Sequence, residues 1–102
     1  MNNLDKLHQQ QEITTQISND ELKLAIAVAF ERTSTEPFNI DNMVKDIINE
    51  FGRHDKDDII KAIRNGGLGL YGKTFKLSTQ EVCIWIRSYL TNKQHKKFNP
   101  YG

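Results

Sequence analysis

The chain has little cysteine, proline or tryptophan: one Cys, two Pro and one Trp. A lone thiol, Cys83, excludes an internal disulfide and fits a reducing compartment. No apolar run approaches the roughly 18–20 residues of a membrane span, and mean hydropathy is -0.62. The opening stretch MNNLDKLHQQQEITTQ has no apolar h-region, which argues for a cytoplasmic rather than a secreted protein. No complete metal-ligand or nucleophile set is visible, so no catalytic residue, metal or cofactor is expected. What remains is 102 residues, 37% hydrophobic and 26% charged, an ordinary composition for one globular domain with a single core.

The net charge of +1 conceals an asymmetry. Residues 1–60 hold six Lys/Arg against twelve Asp/Glu, a net -6, whereas residues 61–102 hold eight against one acid, Glu81, a net +7. Six of the nine aromatics also lie in the basic part: Tyr71, Phe75, Trp85, Tyr89, Phe98 and Tyr101. Such a split suggests a polyanionic partner for the basic half. The alternative is that the halves neutralise each other, across the fold or in a homodimer.

Hydrophobic spacing predicts four helices. Ser18-Asn19-Asp20-Glu21 is a capping box. Leu22, Ala25, Ile26, Ala29 and Phe30 follow on one helical face. Leu24, Ala27 and Val28 widen that face, so burial on two sides is expected, with an end near Thr33–Thr35 ahead of Pro37. The second helix, from Asn39-Ile40, has the cleanest stripe: Ile40, Met43, Val44, Ile47, Ile48 and Phe51, stopped by Gly52. The third starts within 55–58, packs through Ile59, Ile60 and Ile63, and ends at Asn65-Gly66-Gly67. The fourth opens on a second capping box, Ser78-Thr79-Gln80-Glu81, and buries Val82, Trp85, Ile86, Tyr89 and Leu90.

Residues 66–77, GGLGLYGKTFKL, do not read as helix. Leu68, Leu70, Phe75 and Leu77 form either a short hairpin turning at Gly72-Lys73 or an ordered loop whose apolar side chains plug the core. Gly67–Thr74 matches GxxxxGK[ST] letter for letter. A P-loop, however, needs a buried strand before the motif and a helix beginning at its lysine. Here the upstream segment has helical spacing and the next cap is Ser78, so nucleotide hydrolysis is not expected. The residual expectation is that Lys73 and Lys76 offer charge to a phosphate backbone.

His54-Asp55-Lys56-Asp57-Asp58 fits no calcium loop; its acids suit the first turn of a helix. His8 and His95 have no partner in sequence, and Cys83 reads as a packing or idle surface residue. The fourth helix turns Gln80, Ile84, Arg87 and Thr91 away from its core face. Gln and Arg there can read base edges, and Ile84 marks a partner contact.

Leu77-Ser78-Thr79-Gln80-Glu81-Val82-Cys83-Ile84-Trp85-Ile86 resembles the second helix of transposase- and regulator-type helix-turn-helix domains, which often read Leu-Ser-x-x-x-Val-x-x-Trp-Ile. More broadly, residues 60–90 are similar to small proteins of Bacteroidetes phages and mobile elements. The resemblance implies a phage or mobile-element setting.

The expected fold is all-α: a four-helix domain over 18–92, with a glycine-rich loop or short β-hairpin before the last helix. A flexible arm spans 1–17 and a basic tail 93–102. The expected function is a non-enzymatic accessory protein binding DNA, RNA or a nucleoprotein complex, with no membrane role. Its nucleic-acid contacts would come from Lys61, Arg64, Lys73, Lys76, Gln80, Arg87, Lys93, Lys96 and Lys97, with Gln80 on the base-reading face. The alternative is a small inhibitor of a host defence complex, anti-CRISPR-like, acting through protein and guide-RNA contacts.

Overall fold

The computed structural model describes residues 15–98, with side chains through residue 94. The expected arm therefore lies largely outside the described residues, as do the side chains of Lys96 and Lys97. Four helices are present among the described residues: α1 (Asn19–Arg32), α2 (Ile40–Phe51), α3 (Lys56–Gly67) and α4 (Thr79–Phe98). They contain no strand, only an isolated antiparallel bridge between Gln16 and Asp55.

The bridge ties the chain before α1 to the start of α3. The Lys56 amide donates to the Thr15 carbonyl at 2.7 Å, and the Thr15 amide donates to Asp55 Oδ1 at 3.2 Å. Ile17 is buried in the core. Residues 15–17, assigned to the arm by their sequence, are thus attached to the fold. At the head of α1 the capping box is complete. Ser18 Oγ accepts from the Glu21 amide at 3.1 Å, and Glu21 Oε1 accepts from the Ser18 amide at 2.9 Å. The other Glu21 oxygen accepts from Lys56 Nζ at 3.0 Å. The second box, at α4, is half-formed. Ser78 Oγ accepts from the Glu81 amide at 3.3 Å, while the Glu81 carboxylate accepts from Thr74 Oγ1 at 3.5 Å.

The core is one cluster. Leu22, Ile26, Ala29 and Phe30 come from α1, and Met43, Val44, Ile47 and Phe51 from α2. Ile59, Ala62 and Ile63 come from α3, and Val82, Trp85 and Ile86 from α4. These are the faces that helical spacing selects. Two-sided burial of α1 does not occur. Leu24 is 66% exposed and Ala27 is exposed, because no element covers that side. Tyr89 and Leu90 are only half-buried, since α4 begins to run past its partners there. The helix then continues to Phe98, so residues 93–98 of the expected basic tail are helical. Nothing between Thr91 and Phe98 breaks a helix, and the absence of apolar spacing there marks only the end of the core.

The α3–α4 pair is the most extensive packing, α1 bridges α2 and α3, and α2 touches α4 lightly. Its closest approach is Trp85 against Gly66. A Cβ at Gly66 would lie 1.8 Å from Trp85 Cδ2. Gly66 is therefore a packing residue as well as part of the last turn of α3, which ends at Gly67 as expected. The chain is turned away just beyond it. The Leu70 amide donates to the Asn65 carbonyl and the Gly69 amide to the Gly66 carbonyl, both at 3.0 Å. With Gly69 at φ 85, this is a Schellman motif. α1 ends the same way. Thr35 N–H donates to Phe30 O at 2.9 Å, Ser34 N–H to Glu31 O at 3.1 Å, and Ser34 holds φ 56. A left-handed serine costs roughly 1 kcal/mol relative to glycine.

Two expected outcomes follow from these contacts. Gly66→Ala gains up to about 1 kcal/mol of helix propensity, but the overlap with a buried indole costs more. Net destabilisation of about 1–3 kcal/mol and a shifted Trp85 emission are expected in urea melts. An unchanged midpoint would show that α3 and α4 can separate without penalty. The second concerns pH. Backbone hydrogen bonding to Ser18, then the Lys56 bond, lowers Glu21 from 4.5 to about 2. A depressed carboxylate contributes fully above its unfolded pKa and loses its contribution as pH falls through the folded one. The stability gap between wild type and Glu21→Gln should be flat above pH 4.5 and close as pH approaches 2.

Candidate nucleic-acid interface

α1 and α3 run parallel: Glu21 meets Lys56 at one end, and Arg32 lies beside Gly67 at the other. Both helices therefore release their chains at the same end of the molecule. The two exits, 33–39 and 68–78, are then fastened together. Thr33 Oγ1 donates to the Ala29 carbonyl at 2.9 Å and lies 2.8 Å from Thr35 Oγ1. Thr35 Oγ1 in turn accepts from the Leu77 amide at 3.1 Å, and Leu77 is buried. Asn65 Nδ2 donates to Tyr71 Oη at 3.4 Å.

Residues 68–78 contain neither helix nor strand, so the hairpin alternative does not form. The chain spends Gly69 and Leu70 on the α3 Schellman motif and then turns again, with Gly72 N–H donating to Gly69 O at 3.1 Å. Too few residues remain for a ladder. Nor do the apolar residues plug the core, Leu77 excepted. Leu68 is 51%, Leu70 66% and Phe75 83% exposed. Lys73 Nζ sits 5.1 Å from the centroid of the Phe75 ring, a cation–π distance.

The cations named from the sequence separate into two groups. On α4, Arg87 Nη2 lies 3.7 Å from Glu50 Oε2, and its guanidinium carbon is 5.6 Å from the centroid of Phe51. Lys93 Nζ donates to both oxygens of Asp58, at 2.8 and 3.0 Å, and that bond raises its pKa above the ordinary lysine value. Gln80 is exposed and Ile84 is 49% exposed, as their helical positions imply. That face borders acids of α2. Burial raises the Cys83 thiol pKa; Arg87 opposes the shift, and Glu50 and Asp46 add to it. Mutual neutralisation of the two halves thus holds along α4.

The second group runs from the middle of α3, at Lys61, to the loop end. Lys61, Arg64, Lys73 and Lys76 are exposed and form no salt bridge among the described residues. Arg32, which its sequence position did not single out, joins them. A recess of about 380 Å³ places Arg32 and Lys73 with Thr33, Ser34, Thr74 and Phe75. An adjoining groove of about 300 Å³ places Arg32 and Arg64 with Leu24, Ala25, Val28 and Ile60, and also with Glu21, whose carboxylate is bonded to Lys56. Arg32 and Arg64 also stand in the last turns of α1 and α3, where cations offset the carbonyl ends of helices. Lys76 lines a third hollow of about 300 Å³ with Glu36, Phe38 and residues at the starts of α2 and α4. Only the parallel arrangement of α1 and α3 brings Arg32 here, and no local signal in the sequence encodes that.

The P-loop lookalike has no P-loop geometry. Gly67 closes a helix, no strand precedes it, and the next helix begins at Thr79. Thr74, the residue a P-loop would place on magnesium, donates to Glu81. Among the described residues no group of three or more His, Cys, Asp or Glu side chains is placed to hold a metal, and no helix is long and apolar enough to cross a membrane. No family model, curated protein or solved structure matches the chain.

Proposed function

We propose that the protein is a non-enzymatic nucleic-acid-binding accessory protein, in the phage or mobile-element setting its sequence resemblance implies. Its phosphate contacts come from the loop end rather than from α4. One observation carries this reading: Arg32, Arg64 and Lys73 line two adjoining hollows with no carboxylate paired to them among the described residues. The α4 cations, by contrast, face Glu50 and Asp58. A phosphate approaching Arg87 or Lys93 must displace a carboxylate, whereas Arg32, Arg64 and Lys73 have none to give up, and Glu21 in their groove is already held by Lys56. Lys76 extends the set toward α2, and Lys61 continues it along α3.

A second reading, from another class, rests on the groove between α1 and α3. Leu24, 66% exposed, and the half-buried Val28 and Ile60 give it an apolar floor suited to protein. On that reading the protein inhibits a host defence complex by docking on it. Capture of one stoichiometric protein from nuclease-treated lysate, with no affinity for oligonucleotides, would favour the second reading.

The first reading is tested by oligonucleotide titration across a salt series. Affinity should fall steeply with salt, because released counterions drive association. Arg64→Ala and Lys73→Ala should each weaken binding and flatten the slope of log K against log salt by about 0.7–0.9. Arg87→Ala should leave both quantities near wild type. No binding at low salt, or an effect confined to Arg87, would remove the loop end as the interface.

A further inference from the structure

The loop end carries more apolar surface than phosphate contact needs. Phe75 is 83%, Phe38 73%, Leu70 66% and Leu68 51% exposed, four of the six large hydrophobic side chains so exposed among the described residues. They come from the two segments that the Thr35–Leu77 hydrogen bond joins. The Phe75 ring has the Lys73 ammonium 5.1 Å from its centroid and is otherwise open to solvent. A cation beside an open aromatic face fits an anionic chain that also carries flat π-systems.

Resting on the nucleic-acid reading above, we infer that the loop end binds single-stranded nucleic acid in preference to duplex, with an unpaired base stacked on Phe75 and the adjacent phosphates held by Lys73, Arg32 and Arg64. A duplex presents phosphate and sugar outward and hides its base faces. Its base edges are reached by a helix or a two-stranded ribbon in a groove. The loop end has no ribbon, and the outward face of α4 has Arg87 beside Glu50. A single strand presents both groups that this surface lacks: π-faces for Phe75 and phosphates for the cations. Aromatic stacking of this kind is tolerant of sequence. Unpaired bases occur in DNA and in RNA, and the surface recognises what the two share.

The test is anisotropy titration of the full chain with four labelled probes of about 16 nucleotides, within the span single-strand sites cover. The probes are oligothymidine, oligouridine, an abasic DNA strand and a DNA duplex. The single strands should bind about tenfold or more tighter than the duplex and the abasic strand. Similar affinity for oligothymidine and oligouridine would support a shared base-stacking site. A preference confined to one of them would overturn the shared recognition. Phe75→Ala should cost about tenfold on the single strands, leave the duplex unchanged and keep the salt slope; Phe75→Tyr should restore the loss. Thermal melts of both variants separate this from unfolding, which an 83% exposed ring does not predict. Equal or tighter binding of duplex, or an abasic strand bound as well as oligothymidine, would overturn the inference and leave the nucleic-acid reading standing. Failure of all four probes to bind at low salt would instead defeat that reading, and this inference with it.

Discussion

The contact between Trp85 and Gly66 sets the geometry on which the rest depends. Trp85 is the largest fully buried side chain, and its six-membered ring occupies the space that any Cβ at position 66 would need. A glycine in a helix interior costs about 1 kcal/mol against alanine. Here that cost is offset by letting an indole lie directly on the α3 backbone. The approach fixes α4 on α3 at the last turn of α3. Everything from Gly69 to Leu77 must then span between two helices already locked together. The segment cannot drift into a continuation of α3, since Gly69 at φ 85 turns it away.

A second constraint aligns α1 with that end. Gly67 sits beside Ala29 and Arg32, so α1 and α3 finish side by side and their Schellman motifs release two loops together. Thr35 then joins the loops by accepting from the Leu77 amide. The hydrogen bonds along 65–72 are short-range, whereas that bond spans 42 residues. The loop end is therefore built locally and oriented globally. Arg32 and Lys73, far apart in sequence, reach one recess for this reason.

Much of this architecture was legible in the chain, and the failures have physical causes. Spacing located the helices and the residues of their buried faces, because one face of each helix meets one core. The Ser18 capping box was readable because its donors and acceptors are all local. The end of α3 at Asn65-Gly66-Gly67 was readable from its glycines, but the contact of Gly66 with Trp85 was not, since a glycine near a helix end has the same composition whether or not it admits an indole. Ser34 gave no signal, because serine adopts the left-handed region only when tertiary contacts hold it there. The last turns of α4 were missed because the helix outlasts its core, so apolar periodicity ends at Leu90 while the backbone continues to Phe98. At the loop end Arg64, Lys73 and Lys76 could be named from charge alone. Arg32 could not, and Phe75 was read as a core or hairpin residue because sequence does not report which side of an irregular segment faces water.

The charge asymmetry resolves into two behaviours rather than one. Where the basic half packs along the acidic half, its cations are drawn into pairs: Lys93 with Asp58, and Arg87 with Glu50. The exposed Arg87–Glu50 pair contributes about 0–1 kcal/mol, and the Lys93–Asp58 pair has a solvent-exposed lysine on a largely covered carboxylate. Their larger effect is to lower the net charge along α4 and leave the unpaired positive charge elsewhere. The residues without a salt bridge among the described residues, Lys61, Arg64, Lys73 and Lys76, lie on α3 and the segment after it, where Glu21, the acid of α1 that faces α3, is already bonded to Lys56. Of the cations without a carboxylate partner among the described residues, Arg64, Lys73 and Lys76 thus fall toward one end of the fold. Unpaired charge is the kind that acts on a charged partner at a distance. The exposed ring of Phe75 stands within that same region, so charge that attracts and a flat face that can retain are presented by one loop.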